Sequence, residues 1–207
     1  MANSKLIVVE GPQGAGKTTI TDYLRYTIPY TNLYRLCGTA DSTPTGKKKA
    51  EAMYRDLVEY LKKLGNQSIN LVFDRTFFTE EIYCRLGFKE YSFTDVYEEL
   101  LEELSKMDFD IYYITLYLED ESLFEKRIQR EGKAVPDYAK FKAESSINQQ
   151  RAYLKMAEEI KERYPNIKVV NVENSRDIEV VENDLKELLR WVIKIIEKYK
   201  CIFIKKR

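Results

Sequence analysis

Histidine is absent from these 207 residues, cysteine occurs three times and proline five, and positive and negative side chains cancel at 34 each. Each shortage excludes something. Without imidazole there is no Ser-His-Asp triad, no Cys-His pair, no His-ligated metal and no His-Arg-Asp catalytic loop, so any proton transfer falls to a carboxylate or a less usual base. Cys37, Cys84 and Cys201 lie far apart with no Cys-x-x-Cys spacing, which argues for reduced thiols rather than a disulfide framework or a zinc knuckle. Zero net charge and a sequence pI near 6.5 give no overall attraction for nucleic acid or an anionic membrane. No apolar run is long enough to span a bilayer, and the N-terminus runs almost directly into a strand, so a cytoplasmic location is expected. The length suits a single domain, 1–207, with a sizeable core, and no linker, repeat or low-complexity segment divides it.

Only eight glycines occur, yet Gly11, Gly14 and Gly16 fall within one short stretch, Glu10-Gly11-Pro12-Gln13-Gly14-Ala15-Gly16-Lys17-Thr18-Thr19. It follows the apolar run Leu6–Val9 and leads into helical sequence. Gly11, four residues, then Gly16-Lys17-Thr18 is the spacing of a phosphate-binding loop. Glycines let successive backbone N–H groups approach a phosphate, Lys17 supplies a point charge, and the Thr18 hydroxyl suits Mg²⁺. The following helix aims the positive end of its dipole at the anion. ATP and Mg²⁺ are the implied cofactors.

Alternation of strand and helix patterns predicts an α/β fold, a parallel sheet with helices on both faces. Strands are expected at Lys5–Val9, Leu33–Leu36, Ile69–Phe73, Phe109–Leu118 (the central one) and Ile167–Val172. Helices are expected at Lys17–Thr27, on a face carrying Met53, Tyr54, Leu57, Tyr60, Leu61 and Leu64 and closed by Gly65-Asn66, and at Thr79–Leu86. Others are expected after a Ser92–Asp95 capping box, at Leu123–Lys133 after an Asp120 cap, at Asp137–Arg163, and after an Asn174 cap. Residues Gly38–Gly46 read as a loop over the substrate site, with Asp41 its one acid and Lys47-Lys48-Lys49 beyond it. Asp74-Arg75-Thr76 ends the third strand, where open parallel sheets bind ligands, so a mere surface ion pair is the less favoured reading. Arg127, Arg130 and Lys133 recur every three residues along one helical stripe.

This order of elements resembles the thymidylate kinase and deoxynucleoside kinase group of P-loop kinases over nearly the whole chain. The most specific likeness is Asp74-Arg75-Thr76 followed by Thr79 and Tyr83, similar to the Asp-Arg-x-x-x-Ser-x-x-x-Tyr of thymidylate kinases. The resemblance implies a three-layer fold with five parallel strands and a small helical lid at about 120–137. It implies cofactor contacts from Gly11, Gln13, Gly14, Ala15, Gly16, Lys17, Thr18, Thr19, Asn174 and Arg176, and metal contacts from Thr18 and Asp74. Arg35, Asp74, Arg75, Thr79, Glu80 and Tyr83 would meet the acceptor; Lys17, Arg75, Arg127 and Arg130 would serve phosphoryl transfer. The chain departs from the family in lacking Arg-Glu-Pro-Gly after the second strand and in carrying Glu80 and Glu81 where polar residues meet thymine. An ionised carboxylate only accepts hydrogen bonds and would favour a base edge that donates.

The leading expectation is ATP-dependent phosphorylation of a (deoxy)nucleoside monophosphate, an acceptor already ionised at neutral pH and needing no strong base. A deoxynucleoside kinase is the alternative; its hydroxyl acceptor benefits from a base, for which Asp41 is the candidate. A kinase acting on DNA is a third reading, disfavoured by the balanced charge. A GTP switch lacks its guanine-reading Asn/Thr-Lys-x-Asp motif. Partners are therefore ATP and a nucleotide or nucleoside, with self-association into a homodimer left open.

Overall fold

The computed structural model describes residues 4–65, 67–129, 142–176, 180–185 and 187. In chain order these form β1 (Lys5–Glu10), α1 (Lys17–Thr27), β2 (Thr31–Arg35), α2 (Pro44–Leu64), β3 (Asn70–Asp74), α3 (Phe77–Arg85), α4 (Thr94–Ser105), β4 (Asp110–Tyr117), α5 (Leu123–Ile128), α6 (Ala143–Arg163) and β5 (Lys168–Glu173). The five strands make one parallel sheet in the order β2-β3-β1-β4-β5.

Alternation along each strand sorts the two faces. Ile7, Val9, Val72, Ile114 and Leu116 pack with Ile20 and Leu24 of α1 and with Val181 and Leu185. On the other face Leu6, Val8, Leu71, Phe73, Ile111 and Tyr113 meet α2, α3, α4 and α6 in a core rich in aromatic rings. Phe78 stacks on Phe77 at 4.4 Å and meets Tyr113 edge-on at 4.8 Å. Truncating such a buried ring to alanine costs about 3–5 kcal/mol, through lost burial and the cavity left behind. The expected three-layer architecture is the one observed.

Several local expectations are corrected. β1, not β4, stands in the middle of the sheet. Both are internal strands buried on two faces, so uniform apolarity could not rank them. Helix α2 begins at Pro44, a residue suited to a first helical turn. Its buried face is Gly46, Ala50, Tyr54, Val58 and Leu61, while Met53 and Tyr60 are exposed. Gly46 belongs to that first turn because a Cβ there would lie 2.0 Å from the Asp41 carbonyl oxygen. The loop after β2 therefore stops at residue 43.

The capping expectations also change. Ser92 Oγ accepts from the Thr94 N–H at 3.3 Å, Phe93 occupies the cap position, and no side chain caps α4. Asp120 Oδ1 accepts from the Ser122 N–H at 3.1 Å and the Ser122 hydroxyl at 2.6 Å, a turn one residue ahead of α5. Gly65 sits at the end of α2 as expected. Asn66, Cys201, residues 130–141 with Arg130 and Lys133, and most of the last helix lie outside the described residues. No described helix is long and apolar enough to cross a membrane.

Candidate functional site

The glycine-rich loop expected to bind phosphate bends between β1 and α1, at the carboxyl edge of the middle strand. Lys17 folds back into it, Nζ donating to the carbonyls of Gly11 at 2.8 Å and Pro12 at 2.7 Å. Burial, and then repulsion from the Arg75 guanidinium, pull its ammonium down to about 7, against the attraction of Asp74 and Glu10. Thr18 and Thr19 are exposed at the start of α1. Asn174, past the end of β5, braces the loop from beneath: its Nδ2 donates to the Ala15 carbonyl at 2.7 Å. A Cβ on Gly16, where φ is 89°, would fall 2.3 Å from that nitrogen, so only glycine fits there. Asn174 is thus a strut of the glycine-rich loop; the start of the helix it was expected to cap lies outside the described residues.

On the side facing β3, Thr18 Oγ1 donates to Asp74 Oδ2 at 3.2 Å. Asp74 shares the α1 face of the sheet with Val72, and Arg35 is its register partner on β2. Arg35 Nε consequently stands 3.8 Å from Asp74 Oδ2, and its Nη2 pairs with Asp22 of α1. Arg75 takes a left-handed backbone conformation, φ 73°, unusual for a branched-free but bulky side chain. That twist lets it turn back to the loop, where Nη2 donates to Gln13 Oε1 at 2.9 Å. Acid, hydroxyl and two guanidinium groups are thereby gathered at one sheet edge.

On the opposite face, Glu10 ends β1 fully buried. Its Oε1 accepts from the Thr76 N–H at 2.8 Å and the Thr76 hydroxyl at 3.1 Å, and Oε2 from the Thr79 hydroxyl at 2.6 Å. Burial pushes this carboxyl up to about 7, against the pull of those hydrogen bonds and of Lys17. The Thr79 hydroxyl also meets Tyr153 OH of α6 at 2.9 Å. Thr79, expected at the acceptor, is instead an internal tie. Glu10 was not among the predicted site residues, although a charged residue closing an otherwise apolar strand is a readable signal.

The loop after β2 is strapped down by residues that the sequence did not single out. Lys89 Nζ donates to the Thr39 carbonyl at 2.6 Å and pairs with Glu80 Oε1 at 3.1 Å, with both side chains almost wholly buried. Tyr91 OH donates to the same Glu80 oxygen at 2.5 Å. Glu80 therefore carries a buried counter-ion rather than a bare charge. Glu81 turns away, its Oε1 accepting from Arg85 Nε at 2.8 Å and from the Thr94 hydroxyl at 3.0 Å, and Arg85 continues to Glu159 of α6. It does not share the Lys89 and Tyr91 contacts of Glu80. Tyr83 packs edge-on against Phe88 at 5.5 Å, and burial raises its phenol while the nearby Arg75 opposes that shift.

Asp41 does not present an open carboxylate. Oδ1 accepts from the Thr43 hydroxyl at 2.6 Å and the Thr43 N–H at 3.1 Å, and Oδ2 pairs with Lys49 at 3.0 Å. These bonds, that to the Thr43 hydroxyl foremost, hold it down at about 2. The expected base is in fact the anchor of the α2 N-terminus.

Above the loop, α5 lays Phe124, Ile128 and Arg127 over Gly14, and Arg127 Nη2 donates to the Asn174 carbonyl at 2.7 Å. Helix α5 thus brings Arg127 to the glycine-rich loop. Arg176 lies farther out, Nε on Glu173 Oε2 at 2.9 Å and Nη2 on Asp184 Oδ2 at 2.8 Å.

No family model matches the sequence, and neither does any curated protein. Among solved structures, the thymidylate kinase of Candida albicans is similar with a TM-score of 0.63 and 19% identity, covering 92% of each chain. The deoxyadenosine kinase of M. mycoides follows at 0.62 and 16%, covering 89% of this chain and 98% of that one. The YorR protein of Bacillus subtilis, solved in complex with phosphorylated GDP, gives 0.61 and 15% over 94% and 98%. The fold of this chain is that of the P-loop nucleotide kinase group.

Proposed function

We propose that the chain transfers the γ-phosphate of ATP to a (deoxy)nucleoside monophosphate. The observation that carries this reading is that two arginines stand beside Asp74 at the end of β3 while the one candidate base, Asp41, is already engaged. Arg35 and Arg75 flank Asp74, whereas Asp41 is tied to Thr43 and Lys49. A hydroxyl acceptor asks for a base near the operating pH, and a carboxyl held at about 2 is far too weak a one. An acceptor phosphate asks instead for cations, and planar guanidinium groups suit its oxygens. In the transfer a phosphate oxygen of the acceptor attacks Pγ, the bond from Pγ to the bridging oxygen breaks, and ADP leaves; no proton need be removed from an ionised acceptor.

The other residues fall into supporting roles. The loop N–H groups and Lys17 hold the transferring phosphates. Thr18 and Asp74 offer hydroxyl and carboxylate oxygens, a hard donor set that fits Mg²⁺, which needs few protein ligands when phosphates supply the rest. Bound there, the ion would neutralise charge developing on the phosphates. Arg127 would add a cation from the lid side. The free thiols of Cys37 and Cys84 fit a reducing, cytosolic setting. Likeness in fold to a thymidylate kinase and to a deoxyadenosine kinase supports a kinase of nucleotides or nucleosides, and the choice of a monophosphate rests on the arginines and Asp41.

Steady-state kinetics of two variants test the assignment. Arg35→Ala should raise the acceptor KM by about tenfold or more, the range of a lost charge-assisted contact, while Asp41→Asn leaves kcat within about threefold. Collapse of kcat in Asp41→Asn with Arg35→Ala unaffected would instead identify a nucleoside kinase.

A further inference from the structure

Thr18 and Asp22 lie four residues apart on α1 and so share one helical face. Both reach the ends of β2 and β3. Thr18 Oγ1 donates to Asp74 Oδ2 at 3.2 Å, Arg35 Nε stands 3.8 Å from that same oxygen, and Arg35 Nη2 pairs with Asp22 Oδ1. Four side chains from three elements thereby close a ring in which Asp74 is shared by the metal side and the acceptor side. Asp22 belongs to neither role assigned above.

We propose that Asp22 is a positioning residue, holding the Arg35 guanidinium at the acceptor end once Asp74 is engaged by the metal ion. This rests on the monophosphate-kinase reading. Asp74 can serve only so many partners, and its contact with Arg35 is already longer than a hydrogen bond. When a divalent ion draws on that carboxylate, the second anchor of Arg35 is Asp22. A guanidinium is a fork of five N–H donors, so one edge can rest on Asp22 while the rest face an acceptor phosphate. Half of the Arg35 side chain is exposed, and without an anchor a side chain so long samples many rotamers that must be frozen when substrate binds. The competing explanation is an ordinary half-exposed ion pair, which contributes little to stability and nothing to catalysis.

The experiment compares wild type, Asp22→Ala and Asp22→Glu on the monophosphate that wild type phosphorylates fastest, varying acceptor and ATP separately. Asp22→Ala should raise the acceptor KM about tenfold, with ATP KM within about twofold and kcat within about threefold, because only acceptor preorganisation is lost. Asp22→Glu should restore most of the acceptor KM, and the melting temperature of both variants should stay within a few degrees of wild type. An acceptor KM unchanged in Asp22→Ala, or one that rises only together with a loss of ATP affinity, overturns the positioning role and leaves the kinase reading standing. Wild-type activity on nucleosides with none on monophosphates overturns both.

Discussion

The Glu10 carboxylate accepts a 2.6 Å hydrogen bond from the Thr79 hydroxyl, joining the last residue of the middle strand to the helix after β3. The bond runs on through Tyr153 into α6, so the glycine-rich loop's strand, α3 and α6 meet at one buried acid. Two hydrogen bonds from Thr76 complete its surroundings.

That acid makes stability pH-dependent in a calculable direction. With its carboxyl raised from 4.5 to about 7, the folded protein holds the proton that the unfolded chain has lost. The stabilisation is fully present below the unfolded value and fades as pH rises to about 7, by roughly 3 kcal/mol across the window. Glu10→Gln keeps one acceptor for Thr76 and places its amide against Thr79, which can accept while donating to Tyr153. Thermal melts between pH 4.5 and 8 should show the wild-type decline flattened in this variant; parallel curves would contradict the assignment.

Lys17 leads to a prediction of opposite sign. Its ammonium, lowered to about 7 by burial and by Arg75, would gain a counter-charge from bound phosphates. Nucleotide binding at pH 8 should therefore take up roughly one proton, and little at pH 6. Titration calorimetry in two buffers of different ionisation enthalpy reads this directly. Lys17→Ala should abolish both the uptake and turnover, whereas uptake persisting in that variant would place the titration elsewhere.

Arg127 should matter to the chemical step more than to folding. Its guanidinium reaches the Asn174 carbonyl beside Gly16, close to where transferring phosphate would lie. Replacing it with alanine should lower kcat by about 10²-fold, as for loss of one preorganised donor, with the melting temperature nearly unchanged. An unaltered kcat would leave Arg127 as a tie between α5 and the Asn174 carbonyl only.

The strand, glycine-rich loop and helix over residues 5–27 were legible because their information is local: glycines, lysine and threonine at fixed spacing between a strand and a helix. Most of the α2 face was legible too, since Tyr54, Leu57, Leu61 and Leu64 meet the core, but its start was not, because Pro44 was read with the loop before it and the close approach of Gly46 to Asp41 appears only once the chain is folded. Asp41 looked available because it is the single acid of its segment, yet Thr43 and Lys49 surround it. Lys89 carries no local signal at all; its pairing with Glu80 depends on a turn that returns the chain to α3. The juxtaposition of Arg35 and Asp74 needs the β2–β3 register, which periodicity alone does not fix.

The claim that the acceptor is a monophosphate is tested most directly by wild-type kcat/KM for each deoxynucleoside monophosphate against its own nucleoside, with ATP and Mg²⁺ saturating. A site built around two arginines should favour the monophosphate by about 10²-fold or more, because the nucleoside leaves those cations unpaired. Equal or better turnover of the nucleoside would contradict the account.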